Sequence, residues 1–126
     1  MEQQYLIDTN AVIDYLGNLL PETGIAFMDN LVPTITTITK IEVLGWYNAT
    51  PQQLGKLEPF INNVKLYQLD EAVINKTIEL RHKQKIKTPD AIIAATALVY
   101  NLTLISRNTN DFKNITNLKL IDPYNL

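Results

Sequence analysis

The sequence predicts an α/β fold of three layers: a central, mostly parallel sheet of about five strands with helices on both faces, in a single domain over residues 1–126. Three observations carry this. Short apolar or β-branched runs alternate with segments of helical spacing, and strands separated by helices run parallel in a sheet covered on both sides. The stretch Ala91-Ile92-Ile93-Ala94-Ala95, continued by Ala97, Leu98 and Val99, leaves its helix almost no polar face and calls for burial. A chain of 126 residues that is 46% apolar suits one domain with one real core.

In chain order, Tyr5-Leu6-Ile7 reads as a buried strand ending at Asp8. Asn10 to Leu16 is a helix, and Pro21 to Leu31 a second one that has to accommodate Gly24. Pro33 to Thr37 is β-branched and forms a short strand. Ile38 to Tyr47 has helical spacing through Ile38, Ile41, Leu44 and Gly45, and Gln52 to Asn62 is amphipathic. Lys65 to Leu69 is a strand, after which Asp70 starts a long helix to Gln84. Lys85 to Lys87 connects to the helix Pro89–Tyr100, with Thr88 as N-cap and Pro89 in the first turn. Leu102 to Ser106 and Leu118 to Ile121 are the last strands. No repeat, low-complexity tract or long linker interrupts this order. In such sheets ligands bind at the carboxyl ends of the strands, near the point where strand order reverses.

Composition narrows the function. The absence of cysteine removes disulfides, thiolate ligands and thiol nucleophiles, and fits a reducing, cytoplasmic setting. The start MEQQYLID has no basic segment or cleavage site, so no signal peptide is expected. No apolar run is long enough to cross a membrane. A formal net charge of −2 argues against a simple basic nucleic-acid glue, but charge can be local. If four of the 13 acids share one site, nine remain against 11 Lys and Arg, and the rest of the surface is slightly basic.

Four acids stand out. Asp8 ends a buried strand, where it also suits an N-cap. Glu42 has Ile38, Ile41, Gly45 and Trp46 as its helical neighbours, an apolar face. Asp90 enters at the rim of a dry core, where a charge needs a partner, although a carboxylate there also favours the helix dipole. Asp111, in SRNTNDF just after a strand, equally suits a cap on a short helix. Of the other acids, Asp70 and Glu71 open a helix, Asp14, Glu58 and Glu79 sit on wet faces, and Asp122 precedes Pro123 in a turn.

Gathered on one sheet edge, the four carboxylates would repel: two charges ~4 Å apart near a protein surface cost about 4 kcal/mol. A divalent cation resolves this, and an all-oxygen site suits Mg²⁺ or Mn²⁺ rather than zinc. Such a metal acidifies bound water and steadies charge on a phosphate. Arg81, Lys83, Lys85 and Lys87 directly precede Asp90. They read both as cations favouring a helix C-terminus and as phosphate contacts beside the site. Other chemistries are thinner. His82 is the sole histidine, so a two-histidine RNA cleavage mechanism is impossible within one chain. Gly17, Gly24, Gly45 and Gly55 are scattered and make no phosphate loop. No G-x-S-x-G elbow occurs, and the acids of a receiver domain are missing.

Asp8 in YLIDTN, Glu42 in ITKIEVLGW, Asp90 in TPDAIIAATAL and Asp111 in SRNTNDF resemble the PIN-domain ribonucleases, specifically the VapC toxins of toxin–antitoxin pairs. The likeness spans essentially the whole chain, in order and spacing. It implies a PIN-like fold and a Mg²⁺- or Mn²⁺-dependent endoribonuclease, cutting single-stranded or looped RNA to leave a 5′-phosphate and a 3′-hydroxyl. Asp8, Glu42, Asp90 and Asp111 are then the metal ligands, directly or through water. Thr9 and Asn10 hold Asp8 by hydrogen bonds, and Asn108, where some relatives carry another acid, orients a water or a second metal. Ser106 stands where threonine is usual, and Thr88 where an apolar residue is common. A small antitoxin encoded next door and a homodimer are the implied partners, with Trp46 and Tyr47 as apolar contacts for the antitoxin. A PIN nuclease of RNA processing without an antitoxin, or an inactive PIN-like binding module, are the alternatives.

Overall fold

Two neighbouring residues set the layering. In the computed structural model, which describes residues 3–126, Leu6 and Ile7 of β1 (Tyr5–Ile7) are both almost wholly buried, although successive strand residues face opposite sides. Leu6 packs in a cluster with Val73, Leu80, Ile93 and Phe112, and Ile7 in another with Val12, Met28, Ile35 and Leu57. A strand that is apolar on both faces needs cover on both, which gives three layers. Leu104 and Ile105 of β4 (Thr103–Ile105) lie opposite Leu6 and Ile7 in parallel register and divide between the same two clusters.

The remaining strands are β2 (Thr34–Thr36), β3 (Lys65–Tyr67) and β5 (Leu120–Ile121). They pair as β1-β4-β5 and β2-β3, all parallel. The expected five-stranded sheet is therefore two ladders side by side. Where β1 meets β2, the Thr34 hydroxyl donates to the Tyr5 carbonyl at 2.6 Å, taking an acceptor that a ladder would use. The lateral order β3-β2-β1-β4-β5 means the chain builds outward on one side of β1 and then crosses to the other. The switch point lies between β1 and β4, so the carboxyl ends of those two strands frame the ligand-binding position.

Helices α1 (Thr9–Leu16), α2 (Glu22–Asp29), α3 (Thr37–Leu44) and α4 (Pro51–Asn63) supply the cluster around Ile7. Helices α5 (Glu71–Lys83) and α6 (Thr88–Val99), followed by the short α7 (Thr109–Phe112), supply the one around Leu6. Ala91 to Ala97 of α6 are all buried, as the run of small and apolar residues requires. Thr88 is not the cap of α6. The Ala91 N–H reaches the Lys87 carbonyl at 2.9 Å, which makes Lys87 the N-cap, with no side-chain bond, and Thr88 the first helical residue. Helix α3 stops at Leu44, short of Tyr47, because Gly45 closes it with its N–H on the Ile41 carbonyl at 2.8 Å. Gly24 inside α2 has a packing reason: a Cβ there would stand 2.3 Å from the Pro123 carbonyl oxygen. Among the described residues no helix is long and apolar enough to cross a membrane.

Candidate active site

Asp8 is the first residue beyond β1 and the N-cap of α1. Its backbone N–H donates to the Ile105 carbonyl at 2.9 Å, which ties the end of β1 to the end of β4. Its buried carboxylate accepts from three donors: the Thr9 N–H at 2.8 Å, Asn10 Nδ2 at 3.3 Å and Ser106 Oγ at 2.7 Å. Burial pushes the Asp8 carboxyl above the ordinary aspartate range. Ser106 and Thr9 hold it down in part, and the charges of Asp90 and Glu42 push it up again.

Glu42 projects from α3, where its Oε1 accepts from Thr9 Oγ1 at 2.6 Å, with the Thr39 hydroxyl 3.1 Å from that of Thr9. The apolar face on which its neighbours place it is solvated, not covered: Glu42 is exposed and Ile41 is 61% exposed. The buried stripe of this helix runs through Thr39 and Val43 instead. Asp90 lies half-buried in the first turn of α6. Its carboxyl is also raised, first by desolvation, then by Asp111 and Glu42, with Lys87 opposing.

Asp8, Glu42 and Asp90 line one open cavity of about 420 Å³ with Thr9, Asn10, Ile13, Trp46 and Asn108. Asp111 is exposed on α7 outside that lining, yet close enough for its charge to act on Asp90. Among the described residues, no three His, Cys, Asp or Glu side chains are grouped tightly enough to hold a metal ion as they stand. Asn108 places its N–H on Ser106 Oγ at 3.0 Å. The basic run divides. Arg81 donates to the Ile86 carbonyl at 3.2 Å and Lys83 pairs with Glu79 at 3.0 Å, while Lys85 and Lys87 extend into solvent.

Two contributors, Asp14 and Arg107, escape the sequence reading, and a third, Ser106, enters it only as standing where threonine is usual. Ser106 is fully buried and grips Asp8 across 98 positions of sequence. Asp14 is not on a wet face: it is buried and paired with Arg107 at 3.0 Å. Arg107 and Asp14 both line the acid cavity. The one signal available for Ser106 and Arg107 was their position, a hydroxyl and a cation at the carboxyl end of a predicted strand.

A family model described as "PIN domain" matches residues 5–118. No curated protein matches the chain significantly. Among solved structures, the chain is similar to one in a toxin–antitoxin complex from Klebsiella pneumoniae, with 28% identity over 98% of this chain and 100% of that one, at a TM-score of 0.79. It shares its fold with a chain of VapBC2 from Rickettsia felis bound to a promoter DNA fragment, at 24% identity, 94% and 98% coverage and a TM-score of 0.80. The same holds for a chain of DNA-bound VapBC from Salmonella typhimurium, at 22% identity, 97% and 99% coverage and a TM-score of 0.82.

Proposed function

The chain belongs to the PIN domain family, and from that premise we propose that it is a metal-dependent endoribonuclease, the toxin half of a VapC-type toxin–antitoxin pair. It hydrolyses RNA phosphodiesters to leave 5′-phosphate and 3′-hydroxyl ends. The observation that carries this reading is the opening of Asp8, Glu42 and Asp90 onto one cavity at the switch point of the sheet.

Asp8, Glu42 and Asp90 would hold Mg²⁺ or Mn²⁺, with Asp111 completing the set. The donors fit by chemistry, being oxygen alone, and the carboxyls of Asp8 and Asp90, raised first by burial and then by the carboxylates beside them, carry charge that a cation would relieve. Closing the set asks the exposed Glu42 and the half-buried Asp90 to turn inward, while Asp8 stays fixed by its three donors. Bound there, the cation supplies Lewis acidity for a phosphate and for water. The chain's own part is positional: Ser106, Thr9 and Asn10 hold Asp8, the Thr9 hydroxyl holds Glu42, Asn108 stands at the rim, and Lys85 and Lys87 offer charge to RNA.

Asp8→Asn and Asp90→Asn are each expected to abolish Mn²⁺-dependent cleavage of single-stranded RNA while circular dichroism stays native; full activity of either variant refutes the reading. Mn²⁺ at a hundred times its dissociation constant should stabilise the fold by about 2.7 kcal/mol, and the absence of any thermal shift counts against a metal site.

For the antitoxin, the support is the toxin–antitoxin relative and a second cavity of about 420 Å³. It is lined by Leu16, Leu19, Leu57 and others, and shares Ile13 and Trp46 with the acid cavity. Tyr47, 94% exposed, stands nearby in sequence. An antitoxin arginine entering the acid cavity would bind carboxylates in a bidentate manner. Co-expression with the product of the neighbouring gene tests this: a complex that cuts RNA as fast as the free chain excludes blockade of the site. A cytoplasmic homodimer completes the proposal, supported by Ile74 and Ile78 exposed on α5, and sedimentation of the purified chain as a monomer would remove the dimer.

A further inference from the structure

An acid-lined cavity that receives a phosphodiester needs positive charge within reach, since carboxylates and phosphate repel. Among the described residues, Arg107 is the one cation in the lining that contains Asp8, Glu42 and Asp90. It is held at two points. Its backbone N–H donates to Asn10 Oδ1 at 3.2 Å, and its Nη1 donates to Asp14 Oδ2 at 3.0 Å. The Tyr124 hydroxyl lies against both Asp14 and Arg107.

The two partners differ sharply in exposure. The Asp14 side chain is 5% exposed and that of Arg107 is 52% exposed. A buried carboxylate needs a partner, which explains why a cation is present. It does not explain an arginine left half in solvent on the cavity wall. A guanidinium has five N–H donors in a rigid fork. Asp14 takes one and the Tyr124 hydroxyl lies beside the group, which leaves donors of the kind that bind phosphate oxygens.

We propose that Arg107 binds the RNA phosphate backbone at the mouth of the acid cavity, with Asp14 as the positioning residue that aims its guanidinium, an inference that rests on the nuclease reading above. A lysine would supply the charge but not the fork, so Arg107→Lys should recover only part of the binding.

The test is binding of a fluorescein-labelled single-stranded RNA, read by anisotropy in EDTA on an Asp90→Asn background. Three proteins are compared: that background, the same with Arg107→Gln, and the same with Asp14→Asn and Arg107→Gln together. The last removes the unpaired buried charge that Arg107→Gln alone creates, so a fold is retained in which RNA contact can be judged. Both Arg107→Gln proteins are expected to bind about tenfold more weakly, with a log-affinity slope against log salt flatter by about 0.7. Restoration of the background affinity in the combined variant would show that Arg107 serves Asp14 alone and overturn the proposal. An RNA affinity indifferent to residue 107 would also overturn it. Cleavage is scored separately on the unmutated chain with Mn²⁺. Failure there removes the nuclease reading without touching the binding comparison.

Discussion

Ser106→Ala isolates the contact that joins the two ends of the central strands. The Ser106 hydroxyl donates to Asp8 Oδ2 at 2.7 Å and accepts the Asn108 N–H at 3.0 Å, and the residue is fully buried. A hydrogen bond to a charged group contributes roughly 1.5–3 kcal/mol. Asn108 is exposed, so its N–H can turn to water and adds little. A loss of about 2–3 kcal/mol follows, equivalent to a fall in Tm of roughly 8–12 °C for a domain of this size. Urea titration at pH 7 measures it as a shift in midpoint at constant m. The pH dependence has a definite sign. Ser106 holds the Asp8 carboxyl down against its burial, so the variant's folded state takes up a proton at higher pH than the wild type's, while the unfolded chains are alike. Linkage then makes the variant gain on the wild type as pH falls. The deficit should be largest at pH 7 and close as pH falls through the raised folded-state range of Asp8, above the ordinary aspartate value of 3.8. A cycle with Asp8→Asn apportions the bond itself. A deficit below about 0.5 kcal/mol at pH 7, or one that grows on acidification, would refute the assignment of Ser106 as the anchor of Asp8.

Three further outcomes are expected. Among the described residues no side chain hydrogen-bonds the Asp90 carboxyl, which is raised by burial, Asp111 and Glu42. Its charge thus opposes folding above its folded pKa, and Asp90→Asn should raise Tm at pH 7, with the gain vanishing as pH approaches 3.8; thermal melts across that range would expose a pH-independent difference as the wrong origin. Replacing Lys85 and Lys87 by Gln should flatten the salt dependence of RNA binding by about 1.4 in log–log slope, and an unchanged slope reassigns them to solubility. Gly24→Ala should destabilise by roughly 1–3 kcal/mol, because its Cβ meets the Pro123 carbonyl, whereas Gly55→Ala, with nothing within 4 Å, should gain up to about 1 kcal/mol; urea midpoints that move together would contradict the packing argument.

Local order was legible because its causes are local. The apolar run of α6 announces burial, and six of its apolar residues are buried with Thr96 among them, because they can find cover only in a core. Asp70 ahead of α5 and Asp8 ahead of α1 read as caps because a cap is decided within three residues. The alternation of strands and helices gave the layers, and through the switch-point rule it gave the edge on which Asp8 lies. Glu42 shows the limit. Its apolar neighbours predict a covered face, but cover on a helix as short as α3 depends on which elements pack beside it, and Ile41 remains in solvent. Asp14 fails for the same reason in the opposite direction: its neighbours look like a wet helix face, yet it is buried and paired with an arginine 93 positions away. Residues that distant meet only after β4 is laid beside β1. Sequence alone thus determined the elements and the acids worth watching. The tertiary fold decided which of those acids share a cavity, which hydroxyls and amides hold them there, and that Asp14 pairs with Arg107 beside them, because those contacts arise from strand order and not from any pattern along the chain.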